Sequence, residues 1–277
     1  MLGINFLNKF NMTGYKESKN KLSSFCPWSY PVGKEDEGII LLKPGALMRA
    51  YSFICPDLGS SSAQTINSVS FFFNEAIRQL GSEWGCQFES ERVLCTDYPG
   101  TDWTNESGFL IDCHRQKLFK KKDAHFLNHY FLIITMELPN EIYAKTKNLL
   151  YKVDKSEGEG YFNLEQCEKE IQAFRETTAG VMSHLNGRIT YRQLNNDEVV
   201  TLCHNSVSSK HHRVICPKIP TLMDYYITDD TLKIANTLML GDTYIPIVAI
   251  RDFPMQTYPA MLGILNSSQI EYRWVSR

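Results

Sequence analysis

The chain has 277 residues, of which 43% are hydrophobic and 22% charged, enough to bury one large core or two ordinary ones. Its formal net charge of −2 gives no overall field favouring nucleic acid or an anionic membrane, so any such binding has to come from a local patch. The eight cysteines, at positions 26, 55, 86, 95, 113, 167, 203 and 216, include no Cys-x-x-Cys pair; they read as reduced, mostly buried thiols of a cytoplasmic protein.

Met1–Tyr15 carries one early lysine and a broken apolar run, which is not the continuous core of a secretory signal. The uncharged stretch around Tyr130–Met136 is too short to span a bilayer. Ile39–Leu42 and Leu47–Cys55 are apolar runs joined by Lys43-Pro44-Gly45-Ala46, where proline then glycine suits a type II turn, so a hairpin is predicted. After it, Ser62 is placed to cap a helix with Ile66, Val69, Phe72, Phe73, Ala76, Ile77 and Leu80 on one face and Gly81 at its end. Trp84, Cys86 and Phe88 alternate as a strand.

Phe126–Leu138 reads as a buried strand ending before Pro139, and Ser156-Glu157-Gly158-Glu159-Gly160 as a flexible acidic loop at a domain boundary. Beyond it, Asn163 and Gln166 suit a capping box for a long helix carrying Leu164, Cys167, Ile171, Phe174, Val181, Met182 and Leu185 inward and ending at Gly187. A strand over Arg188–Leu194 and a short helix through Val199, Val200 and Cys203 come next. Thr237–Leu240 and Tyr244–Ile250 flank Gly241-Asp242 as a second hairpin, with a short helix from Pro259 and a strand over Ile270–Val275. The hairpin-helix-strand order thus occurs twice. The predicted fold is α+β with mixed sheets, built from split β-α-β, ferredoxin-like units in two subdomains, 25–155 and 156–277, after a tail of residues 1–24.

Several segments, in order, carry a family resemblance. They are Phe25-Cys26-Pro27-Trp28 with the run Gly38–Phe53, then Phe73–Trp84, His125–Leu132, His204–Arg213, and Phe253–Pro259 running on to Tyr272-Arg273-Trp274. Together these resemble the opening of the CagE/TrbE/VirB family of type IV secretion and conjugal-transfer ATPases, the TrbE branch most. The sequence departs from that pattern in having Pro-Gly in the first hairpin and more cysteine. The resemblance implies a non-catalytic assembly and docking domain at the cytoplasmic face of a bacterial inner membrane. It further implies partners among the other subunits of the secretion complex, self-association into hexamers, and a RecA-like motor domain that would come later in the same chain or be encoded separately.

The residues themselves argue against phosphate chemistry. A phosphate-binding loop needs Gly-x-x-x-x-Gly-Lys-Ser/Thr, since backbone amides wrap the phosphates, lysine reaches their oxygens and the hydroxyl holds magnesium. The nearest approach, Gly33-Lys34-Glu35-Asp36-Glu37-Gly38, runs on into Ile39-Ile40 without the lysine or hydroxyl, and its acids repel phosphate. It is read as a solvated turn, and no ATPase activity and no cofactor are expected of this chain alone. Cys203, His204, His211, His212 and Cys216 are zinc-type ligands at a spacing that matches no ordinary zinc pattern, so no metal is assigned. His125 and His129 would align on a helix, but the aromatic and β-branched run around them argues for a strand. No nucleophile elbow or His-Glu-x-x-His is present, so no catalytic residue is named. Lys117, Lys120, Lys121 and Lys122 read as a solvated helix terminus. Lys210, His211, His212 and Arg213 form a loop cluster read as a candidate docking loop. Rival readings are an autonomous module binding nucleic acid or protein through that loop, and a small Cys-His enzyme.

Overall fold

A computed structural model describes residues 21–139 and 164–276, apart from 58, 96, 99, 101, 122–124, 220, 235, 253, 254, 257, 259 and 260. The reading of Met1–Tyr15, the acidic loop at 156–160 and the Asn163 capping box lie outside the described residues. In chain order the elements are α1 (Leu22–Phe25), β1 (Trp28–Val32), β2 (Ile39–Leu42), β3 (Ala46–Ile54), α2 (Ala63–Ile77), β4 (Trp84–Cys95), α3 (Glu106–Lys121) and β5 (His125–Glu137). After them come α4 (Leu164–Ser183), β6 (Thr190–Gln193), α5 (Asn196–Asn205), a 3-10 turn (Met223–Tyr225), β7 (Leu232–Ile234), β8 (Leu238–Leu240), β9 (Thr243–Tyr244), a 3-10 turn (Gly263–Ser267) and β10 (Tyr272–Ser276). The fold is α+β.

Among the described residues, seven strands make one sheet in the order β1-β2-β3-β5-β4-β10, with β6 beside β3 at the end that β2 does not reach. β3 and β4 run parallel to each other with β5 antiparallel between them, so β3-α2-β4 is a split β-α-β unit. Mixed sheets are expected from the sequence, but every described ladder is antiparallel, because β5 separates the two strands that α2 connects. The second hairpin-helix-strand set does not repeat the first. β7, β8 and β9 form their own three-stranded sheet, while β10 leaves them to pair with β4. β9 is only two residues long, and the apolar side chains of Ile247 and Val248 beyond it are exposed, not packed into a second layer. Strands from both sides of position 155 therefore share one sheet.

Burial explains why Ile39–Leu42 is apolar at every position: all four are buried, since the sheet is covered on both faces. Ile40, Leu42, Met48, Ala50 and Ile133 pack with Val199, Val200 and Cys203 of α5 and with Met223 and Ile227. Tyr51, Leu132 and Ile134 meet Ala76 of α2 and Val181 and Met182 of α4, with Phe72 and Phe73 half-buried beside them. Ile39, Leu41, Leu47 and Met136 close over Phe174 of α4, whose ring stacks on Trp84. Each such aliphatic side chain contributes about 1.5–3 kcal/mol on burial.

The local signals were mostly obeyed. Ser62 caps α2 by accepting from the Thr65 amide at 3.1 Å, and Gly187 takes the left-handed conformation, φ 71°, after α4. The first hairpin differs in detail from the expected type II turn. Gly45 N–H donates to Leu42 C=O at 3.0 Å, so Lys43 and Pro44 are central and Gly45, φ 89°, is the left-handed residue that resumes the strand. His125 and His129 lie in β5, as the composition of that run suggests. Where a short helix from Pro259 is expected there is the 3-10 turn, and among the described residues no helix is long and apolar enough to cross a membrane.

Candidate docking loop

α5 positions the loop. Its start is a capping box: the Asn195 side chain accepts from the Glu198 amide at 3.0 Å while Glu198 accepts from the Asn195 amide at 2.9 Å. The signal, Asn-x-x-Glu before Val199-Val200, was present in the sequence and missed. The helix then lays Val199, Val200, Leu202, Cys203 and His204 inward and releases the chain at Asn205.

The loop beyond α5 is stitched down at both ends. Ser208 Oγ donates to Asp229 Oδ1 at 2.6 Å, and Ser209 donates to Asp230 Oδ2 through its amide at 2.9 Å and its hydroxyl at 2.6 Å. On the far side Val214 N–H donates to Thr201 Oγ1 at 2.9 Å and Cys216 N–H to Asp197 Oδ1 at 2.8 Å. Between these anchors Lys210 and Arg213 stand out, their side chains 69% and 73% exposed. Each has an acid of its own chain nearby: Lys210 Nζ lies 4.0 Å from Asp230, Arg213 donates to Asp197 at 3.2 Å, and His211 Nδ1 is 3.8 Å from Glu91. The hydrogen bonds from Ser209 hold the Asp230 carboxyl below the usual aspartate value, and burial pulls the His211 imidazole down. The loop thus carries two exposed cations, each facing an acid of its own chain.

A second polar group beneath it was not read from the sequence. Arg273 of β10 donates to Glu89, to Glu91 at 3.4 Å and to the Leu202 carbonyl at 3.3 Å, joining β10, β4 and α5. Both glutamates are buried, on one face of β4 at alternate positions. Burial raises Glu91 and lowers Arg273 to about 10, so desolvation here outweighs the attraction each receives.

The other sequence candidates are placed as follows. In the Gly33–Gly38 turn, Glu37 Oε2 accepts from the Lys34 amide at 3.0 Å and from Arg175 at 2.5 Å, while Gly38 N–H donates to Asn196 at 3.1 Å. The turn therefore already holds a carboxylate where an anion would sit. Lys117 and Lys120 are exposed on the last turns of α3; the side chains of Lys121 and Lys122 lie outside the described residues. Burial pushes the Cys26 and Cys86 thiols up to about 11 and raises Cys203 and Cys216 as well, the opposite of what a thiolate nucleophile requires. Of the five zinc-type residues, His211 turns to Glu91, while His204 and His212 meet, with ring centroids 4.4 Å apart.

Residues 38–142 match the family model described as the N-terminal domain of the type IV secretion system ATPase VirB4/TrbE. Over 278 aligned residues the chain is 29% identical to the conjugal transfer protein TrbE of Rhizobium radiobacter, covering 96% of this chain and 34% of that protein. It is also 31% identical over 132 residues to a Sinorhizobium fredii (strain NBRC 101917 / NGR234) protein described as the first portion of a probable conjugal transfer protein TrbE, covering 47% of this chain and 83% of that one. The chain belongs to the VirB4/TrbE family, as a TrbE-like N-terminal domain.

Proposed function

We propose that this chain is the non-catalytic assembly and docking part of a type IV secretion ATPase serving conjugative DNA transfer, and that it contributes no nucleotide chemistry of its own. The observation that carries this reading is the conjunction of the family match with a sequence that holds no phosphate-binding loop, its nearest glycine-rich turn being occupied by Glu37. The partners on this reading are other subunits of the inner-membrane complex and further copies of itself, at the cytoplasmic face, with a RecA-like motor supplying the energy. Lys210, His211, His212 and Arg213 are the docking residues. An autonomous nucleic-acid module is disfavoured, because Lys210 and Arg213 of this loop face Asp230 and Asp197.

Two measurements test it. Calorimetry of the chain with magnesium-ATP is expected to show no micromolar binding, and a micromolar Kd overturns the non-catalytic reading. In a reconstituted secretion complex, Lys210→Ala with Arg213→Ala is expected to weaken recruitment of this subunit while leaving it folded, since exposed pairs contribute about 0.2–1 kcal/mol. Alanine is preferred to charge reversal because Arg213→Glu would set a carboxylate against Asp197. Unchanged recruitment removes the docking role from this loop.

A further inference from the structure

We propose that His204, His212 and Asp229 form a site for a divalent cation of the zinc class, tying together the end of α5, the docking loop and the segment before β7. One donor atom from each of the three lies within 4.8 Å of the others. Each side chain is also held by a partner that orients it. His204 Nδ1 is 2.9 Å from the Ile227 carbonyl, His212 Nδ1 is 3.0 Å from the Lys210 carbonyl, and Asp229 Oδ1 accepts from Ser208. With its proton on Nδ1, donated to that carbonyl, each ring offers Nε2 as the ligand atom, the outer arrangement usual around metal-binding imidazoles.

A second observation comes from His204 itself, which is 2% exposed. Its Nε2 lies 3.3 Å from the Lys210 carbonyl oxygen while its Nδ1 is taken by Ile227. A neutral imidazole has a single N–H, so with Nδ1 as donor the Nε2 lone pair points at another acceptor inside the protein. A cation beside Nε2 converts that opposition into coordination. Two imidazoles and one carboxylate with a fourth position open is a donor set that suits zinc. Metal–nitrogen lengths of about 2.0–2.1 Å put tetrahedral donors about 3.3 Å apart, so the three must draw in. His212 and Asp229 are exposed, on segments outside helix and strand, where that adjustment is small. The sequence spacing hid this site because its third ligand comes from beyond the Cys203–Cys216 stretch and neither thiol takes part.

The site shares His212 with the docking loop, but zinc binding is measured without any partner and so does not rest on the docking reading. It is tested on the full chain, freed of any affinity tag, stripped with a chelator and titrated with zinc chloride by calorimetry, with cobalt(II) absorption as a second readout. One equivalent of zinc is expected, with the visible bands of tetrahedral cobalt(II) and a rise in melting temperature with zinc concentration. His212→Ala and Asp229→Ala, both at exposed positions, should each weaken binding by at least about tenfold, the scale on which even outer partners count. Cys216→Ser should leave it unchanged. Absence of zinc binding overturns the proposal, as does zinc retained in both variants or lost with Cys216→Ser.

Discussion

Phe174→Ala is the most direct probe of how this chain is put together, because Phe174 lies in α4 while nearly everything it touches comes from before residue 140. Its side chain is fully enclosed, stacked on Trp84 at a centroid separation of 5.6 Å and an interplanar angle of 11°, and packed against Ile39, Leu41, Leu47 and Met136. A buried Phe→Ala change costs about 3–5 kcal/mol, and the upper part of that range applies where the walls cannot collapse. Here the walls are β2, β3 and β5, held in register by their ladders, and the stack on Trp84 adds about 0.5–1.5 kcal/mol. The expected loss is therefore about 4–5 kcal/mol. For a chain of this size each kcal/mol lowers the melting temperature by about 2–4 °C, which predicts a fall of roughly 8–20 °C. Urea unfolding followed by tryptophan fluorescence and by far-ultraviolet circular dichroism measures it, and the two signals should move together as one cooperative unit. A variant within about 0.5 kcal/mol of the parent, or two separated transitions, would falsify the placement of α4 on this sheet.

Three further changes probe other joints. Thr178→Val removes the acceptor of Arg49 Nη1, at 3.0 Å, in a buried site, and should cost about 1–3 kcal/mol in urea unfolding; a neutral result would mean that Arg49 finds water instead. Asn195→Ala breaks the capping box of α5 and should cost about 0.5–2 kcal/mol, with amide exchange in residues 196–200 accelerating ahead of the sheet; uniform exchange would disprove a local effect. Asp230 has a folded value below its ordinary 3.8, so its contribution is present above that value and is lost as pH falls through the depressed one. Ser209→Ala removes the hydroxyl chiefly responsible and should move the Asp230 carboxyl midpoint, followed by NMR, back up; an unmoved midpoint refutes the assignment.

The elements legible in the sequence were those whose cause is local. The α2 helix, with Ser62 ahead of Ile66, Val69 and Phe73, and the α4 stripe from Ile171 to Met182 come from helical periodicity, and β2 and β5 from apolar runs. The capping box at Asn195 was equally local and was overlooked. The exposed, cationic character of Lys210–Arg213 comes from composition as well, since such residues are costly to bury without matching acids.

Only the tertiary structure decided which strands adjoin. Hydrophobic pattern says that a strand is buried on one face or two, but nothing in it says that β5 lies between β3 and β4, that β6 completes the edge of β3, or that β10 pairs with β4 rather than with the hairpin before it. Pairing partners are chosen by global packing, and backbone hydrogen bonds carry no record of sequence. The same limit applies to side-chain groups drawn from distant segments. Arg273 with Glu89 and Glu91, and Asp229 with the nearby pair His204 and His212, are brought together by the fold from segments whose own neighbours in the chain give no sign of the meeting.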